Sequence, residues 1–126
     1  MGLDMYAFSV PKENAIDDFT FKREEDYIEI HYWRKHHDLH GWMERLYRKK
    51  GGTKEDFNVC PVRLTLQDLD TLEHAVMAGN LPSTTGFFFG NYPPDEASQA
   101  DDTYFIAKAR REIIKNGKEV YYDSWW

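Results

Sequence analysis

The sequence predicts an α+β fold, a mainly antiparallel sheet of about four strands packed against three helices. Two observations carry the prediction. Short runs rich in β-branched and aromatic residues alternate with segments whose apolar residues recur every three to four positions. The connections between most of these runs are short and marked by Gly, Pro or Asn, and mixed elements so joined favour a sheet covered by helices. At 126 residues, 41% hydrophobic and 30% charged, the chain fits one domain over 1–126 with a real core and a well-solvated exterior.

The first strand is predicted in Leu3-Asp4-Met5-Tyr6-Ala7-Phe8-Ser9-Val10, which alternates until Pro11 ends it. Residues 11–25 are mostly polar and charged and read as a solvent-exposed loop or insertion with too few apolar side chains to dock. Tyr27 to Trp33 returns to a β-branched and aromatic run, a second strand. It feeds a helix over about 36–50, where Leu39, Trp42, Met43, Leu46 and Tyr47 fall on one stripe. Asp38 near its start and Arg45, Arg48, Lys49 and Lys50 near its end match the helix dipole, and Gly51-Gly52 supplies a left-handed exit. A third strand is expected from about Phe57 to Leu64. Thr65, with Asp68 three residues on, then opens a helix striped by Leu69, Leu72, Val76 and Met77 and closed by Gly79-Asn80. Residues 81–96 hold three prolines and two glycines around Phe87-Phe88-Phe89, an ordered connection with room for one short strand. A third helix, about 97–116, carries Phe105, Ile106, Ala109, Ile113 and Ile114, and residues 118–126 form a terminal strand.

Charge and cysteine content narrow the function classes. A formal charge of −6 argues against non-specific nucleic-acid binding, which needs clustered Lys and Arg, and leaves a basic partner surface open. Cys60 is the sole cysteine, so no intramolecular disulfide forms and a reducing cytosol is the natural compartment. No secretory apolar region follows Met1 and no apolar run approaches a membrane span, so no membrane partner is expected.

The four tryptophans fall in two stretches, Trp33 and Trp42 in one and Trp125 and Trp126 in the other, with Gly86-Phe87-Phe88-Phe89-Gly90 between them. Such clusters either meet as core or leave a rich surface. Arg34-Lys35 after Tyr32-Trp33 can fork onto a phosphate or carboxylate while the indole stacks on a base. Phe88, Phe89 and Trp125 would form the wall of that pocket, and Ser124 would add a hydroxyl donor. The competing reading has Arg34 tying Asp4 or Asp123 between strand ends while the aromatics fill the core. Exposed Trp125 and Trp126 would favour a homo-oligomer.

Other constellations offer less chemistry. His36 and His40 lie at a spacing that zinc accepts, but no third ligand is evident and the glutamate of a His-Glu-x-x-His protease motif is missing, so no metal or other cofactor is expected. Cys60 precedes Pro61 in a run expected to be a strand and reads as a small buried hydrophobe. The acidic runs Asp17-Asp18, Glu24-Glu25-Asp26, Asp95-Glu96 and Asp101-Asp102 read as solvated faces, or as a mimic of nucleic-acid phosphates that occupies a basic channel.

Four ordered blocks, Met1-Gly2-Leu3-Asp4-Met5-Tyr6, Tyr32-Trp33-Arg34-Lys35 with Leu39-His40, Gly86-Phe87-Phe88-Phe89-Gly90, and Tyr122-Asp123-Ser124-Trp125, resemble a family of small proteins of unknown function encoded by bacteriophages and prophages. The resemblance implies a phage-type origin, the host-cell cytoplasm, and an accessory role of inhibiting or redirecting a host factor, defence systems included. Two expectations follow. One is a non-enzymatic protein that binds a host protein through its acidic faces, or sequesters a small anion through Tyr32, Trp33, Arg34, Lys35, His40, Phe88, Phe89, Ser124 and Trp125. The other is a small nucleotide- or phosphate-handling enzyme with His40 as proton carrier and Arg34 as anion clamp.

Overall fold

A computed structural model describes residues 2–23, 26–81 and 96–126. Strand β1 (Asp4–Pro11) leads through a 3-10 turn (Lys12–Asn14) into a small hairpin of β2 (Ala15–Asp17) and β3 (Thr20–Phe21). Then come β4 (Ile28–Arg34), α1 (His37–Lys49), β5 (Val62–Leu64), α2 (Leu66–Met77), α3 (Glu96–Ile114) and β6 (Lys118–Trp125). The main sheet is antiparallel throughout, in the order β4-β1-β6-β5, so the first and last long strands lie side by side at its centre. This is the α+β architecture the sequence predicts.

All three helices pack on one face of that sheet. Leu39, Met43 and Leu46 of α1, Leu69, Leu72 and Val76 of α2, and Phe105, Ile106 and Ala109 of α3 close over Met5, Ala7, Val62, Leu64, Val120 and Tyr122. Each helix has local reasons to start or stop where it does. Asp68 donates its backbone N–H to Thr65 Oγ1 (3.2 Å) and accepts the Thr65 N–H on Oδ2 (2.9 Å), a complete capping box. Gly51 (φ 105°) and Gly79 (φ 68°) take the left-handed turns that end α1 and α2.

Two elements differ from the sequence reading. The polar stretch after Pro11 does dock. Phe21, 6% exposed, joins Phe8, Val10 and Tyr121 in a second small core on the sheet face opposite the helices, with Ala15 and Tyr27 at its margin. Phe19 meets the Tyr47 ring at 5.0 Å. Two large rings suffice where composition promised none, since each buried aromatic contributes about 2 kcal/mol or more. Polar ties complete the docking: Tyr121 Oη donates to the Asp17 carbonyl (2.5 Å) and Arg63 on β5 forks onto Asp18 Oδ1 (2.8 and 3.0 Å). The expected strand at 57–64 is regular only over Val62–Leu64. Val59 sits at φ 54° and Pro61 has no N–H, so residues 57–61 run beside β6 with single bonds such as Val59 N–H to the Ser124 carbonyl (2.9 Å).

Candidate functional site

Register decides which of the expected site residues can meet. Met5 lies opposite Trp33 on one side and Ser124 on the other; Asp4 lies opposite Arg34 and Trp125; Tyr6 lies opposite Tyr32 and Asp123. Paired residues share a face and successive residues alternate. Trp33 and Ser124 therefore point toward the helices with Met5, while Tyr32, Arg34 and Trp125 project from the opposite face. Among the described residues, Trp33 and Trp125 therefore stand on opposite faces of the sheet and do not wall one pocket around Arg34.

On the helix face the polar groups are interior ties. Asp102 of α3, almost fully buried, accepts Trp33 Nε1–H on Oδ1 (3.1 Å) and pairs through Oδ2 with His36 Nε2 (2.7 Å). Asp101 takes His31 Nε2 at 3.0 Å, and the His31 ring packs on Trp33 with centroids 4.5 Å apart. Two consecutive aspartates thus bind α3 to β4 and to the start of α1. The run read as a solvated acidic face is here half structural, with Asp102 inside. His40 is 4% exposed, and its Nδ1 accepts the Tyr122 hydroxyl at 2.7 Å. Burial pulls the imidazole down to about 4, only partly opposed by its bond to the Phe57 backbone, so the ring is neutral at pH 7. Burial also drives the Tyr122 phenol well above its ordinary value. His36 and His40, one helical turn apart, serve different partners, Asp102 and Tyr122. Among the described residues no three His, Cys, Asp or Glu side chains gather as a metal would require. Cys60 is buried, with its thiol directed at the Asp56 and Asn58 carbonyls (both 3.5 Å).

The opposite face is divided. The hairpin covers Phe8, Val10 and Tyr121, and the rows beyond it carry Tyr32, Tyr6 and Asp123, then Arg34, Asp4 and Trp125. Trp125 is 65% exposed and Tyr32 45%. The Tyr6 and Tyr32 rings stand 5.4 Å apart, tilted by 52°, and Tyr32 Oη donates to Asp4 Oδ1 at 2.5 Å. Two strand spacings, about 10 Å, separate Arg34 from Trp125. A Cβ at Gly2 would lie 3.5 Å from Arg34 Nη2 and 3.9 Å from Lys35 Cε, so both cationic side chains lean over the chain's start. Lys35 itself is held at φ 59° by its N–H bond to the Leu3 carbonyl (2.9 Å).

Arg34 is exposed and makes no ion pair with Asp4 or Asp123 among the described residues. Asp123 instead pairs with Arg23, whose guanidinium lies 4.6 Å from the Phe21 ring centre and 5.6 Å from that of Phe8. Burial raises Asp123 above the usual carboxylate range, and Arg23 works against that rise. Tyr6 is raised by burial first and then by the negative charges of Asp4, Glu29 and Asp123. The hydrogen bond to Asp4 raises Tyr32. The sequence reading gives Arg23 no role, Tyr6 only a place in the first strand, and Asp123 only a pairing with Arg34, whereas the structure pairs Asp123 with Arg23 and sets Tyr6 opposite Tyr32. Phe88 and Phe89 lie outside the described residues. No family model matches the chain, and neither a curated protein nor a solved structure matches it. Among the described residues no helix is long and apolar enough to cross a membrane.

Proposed function

We propose that this chain is a non-enzymatic bacteriophage accessory protein, working in the host-cell cytoplasm, that binds a host protein and inhibits or redirects it. The contact surface is the half of the sheet that the hairpin leaves open. One observation carries the reading: Trp125 and Tyr32 stand exposed on rigid strands of a face whose other half is covered. Large aromatics held on strands lose little freedom on docking and are the residue type most enriched at binding hot spots. The phage origin and the host target, a defence system included, rest on the resemblance of the four sequence blocks. Acid–base chemistry by His40 with Arg34 has weaker support, since a proton carrier must come within hydrogen-bond reach of its substrate. His40 is buried on the helix face and Arg34 projects from the other.

The test is affinity capture from host cells with tagged protein, followed by mass spectrometry of proteins and of heat-released small molecules. A stoichiometric protein partner is expected, lost in the Tyr32→Ala/Trp125→Ala double variant while the unfolding midpoint is kept. Equal capture by wild type and double variant would contradict the proposal. Sequestration of a small anion is a second reading, favoured by Arg34 and Lys35 leaning together over Gly2. A released nucleotide or phosphate compound, lost on Arg34→Ala, would select it.

A further inference from the structure

We propose that the open half of the sheet takes a basic protein segment, with an arginine or lysine side chain laid over Tyr6 and Tyr32 and neutralised by Asp4 and Glu29. The inference rests on the platform reading above and adds the chemistry of its partner.

The chain already builds such an arrangement one row away. There Arg23 spreads its guanidinium over Phe21 and Phe8 and pairs with Asp123 on the same face. The parts recur one step along the strands: two aromatic rings, Tyr6 and Tyr32, in one row and, in the row beyond, the Asp4 carboxylate fixed by the Tyr32 hydroxyl. Among the described residues no cation stacks on either ring. Cations are drawn to the faces of such rings, the more so beside a carboxylate. The surrounding charge agrees, because the Asp4 and Glu29 carboxylates act on Tyr6 and neither forms an ion pair among the described residues, while Asp123 is already held by Arg23, and the whole chain carries −6. Glu29 is exposed on the edge strand, where an extended segment lying along the face would meet it. Arg34 bounds the site on its far side and, sharing the row of Asp4 without pairing with it, repels a second cation. Trp125 stands beyond Asp4 on β6 and offers the apolar part of the contact.

The sign of the Arg34 effect separates this proposal from anion binding. The probe is the acetylated, amidated peptide GRGRG, titrated at physiological salt into the full chain and followed by backbone amide shifts, with GEGEG and inorganic phosphate as comparators. GRGRG is expected to move the Asp4, Tyr6 and Tyr32 amides. Asp4→Asn, which keeps an acceptor for Tyr32, and Glu29→Gln should each weaken binding about threefold, and Arg34→Ala should tighten it by a similar factor. The proposal is overturned if GEGEG or phosphate moves these amides instead, if Arg34→Ala weakens GRGRG, or if GRGRG moves the acidic surface at Asp70 and Glu73 just as strongly. Host-protein capture that depends on Trp125 while GRGRG fails would remove only the charge assignment. Capture indifferent to Trp125 would remove the platform itself.

Discussion

Protonation of His40 should unfold this protein's stability margin between pH 6.5 and pH 4. The imidazole titrates at 6.5 in an unfolded chain and at about 4 in the fold, where burial among Phe57 and Tyr122 disfavours its charge. Between those values the unfolded chain binds the extra proton, so stability rises with pH there and is lost as pH falls. The slope approaches 1.4 kcal/mol per pH unit, giving about 3 kcal/mol in all and about 2.4 kcal/mol between pH 7 and pH 4.5. Asp123 works in the opposite sense. Its raised value means that it favours the fold when protonated, so as pH falls toward its folded-state value it offsets part of the loss. The assay is urea unfolding at half-unit pH intervals for wild type and His40→Gln, which keeps one acceptor and one donor. Wild type should lose midpoint steadily below pH 6.5, and the variant should be flatter over the same range. Equal slopes in the two proteins would refute the assignment of a neutral, solvent-excluded His40.

Three further outcomes follow from the packing. Phe21→Ala should cost about 3 kcal/mol by emptying the small core under the hairpin, and it should expose residues 12–23 to proteolysis before the sheet opens. An unchanged midpoint would return that stretch to the status of a free loop. Asp102→Ala strips the partners of Trp33 Nε1 and His36 at once and should cost about 3 kcal/mol, measured by chemical denaturation, whereas Asp102→Asn should recover part of it because one acceptor survives. Gly52→Ala should cost about 2 kcal/mol, since its Cβ would meet the Tyr47 ring at 2.3 Å. Tyr47 cannot swing aside without losing its tilted ring contact with Phe57 (centroids 5.1 Å apart) and the Lys54 N–H bond to its hydroxyl (3.0 Å), and a wild-type midpoint in this variant would show that it can.

Periodicity made most of the fold legible. The stripe of Leu39, Met43 and Leu46 and the capping signal at Thr65 and Asp68 each describe one local element whose burial or bonding the rest of the chain simply completes. The hairpin was not legible, because Phe19 and Phe21 stand alone among polar residues and their value depends on Phe8, Tyr121 and Tyr47 arriving from distant segments. The same holds for Arg23 with Asp123, one hundred residues apart in sequence. The candidate site was half legible. Aromatic clusters mark strands β4 and β6, but residues adjacent in sequence there do not share a face of the sheet. Trp33 and Arg34 are consecutive in a strand, so they point to opposite faces. That parity is written in the sequence, and it splits one imagined pocket into an interior tie at Trp33 and an exposed platform at Tyr32 and Trp125.

On the proposed function this platform, and not the rest of the surface, meets the partner. A photoreactive benzoyl-phenylalanine placed at position 125, and in a separate variant at Ile114, tests it inside host cells, because both native residues are about equally exposed, at 65% and 66%. Ile114 ends α3 on the helix face of the sheet. Irradiation should give a discrete adduct with one host protein from position 125 and none from position 114. Adducts of equal yield from both positions, or from position 114 alone, would contradict the claim.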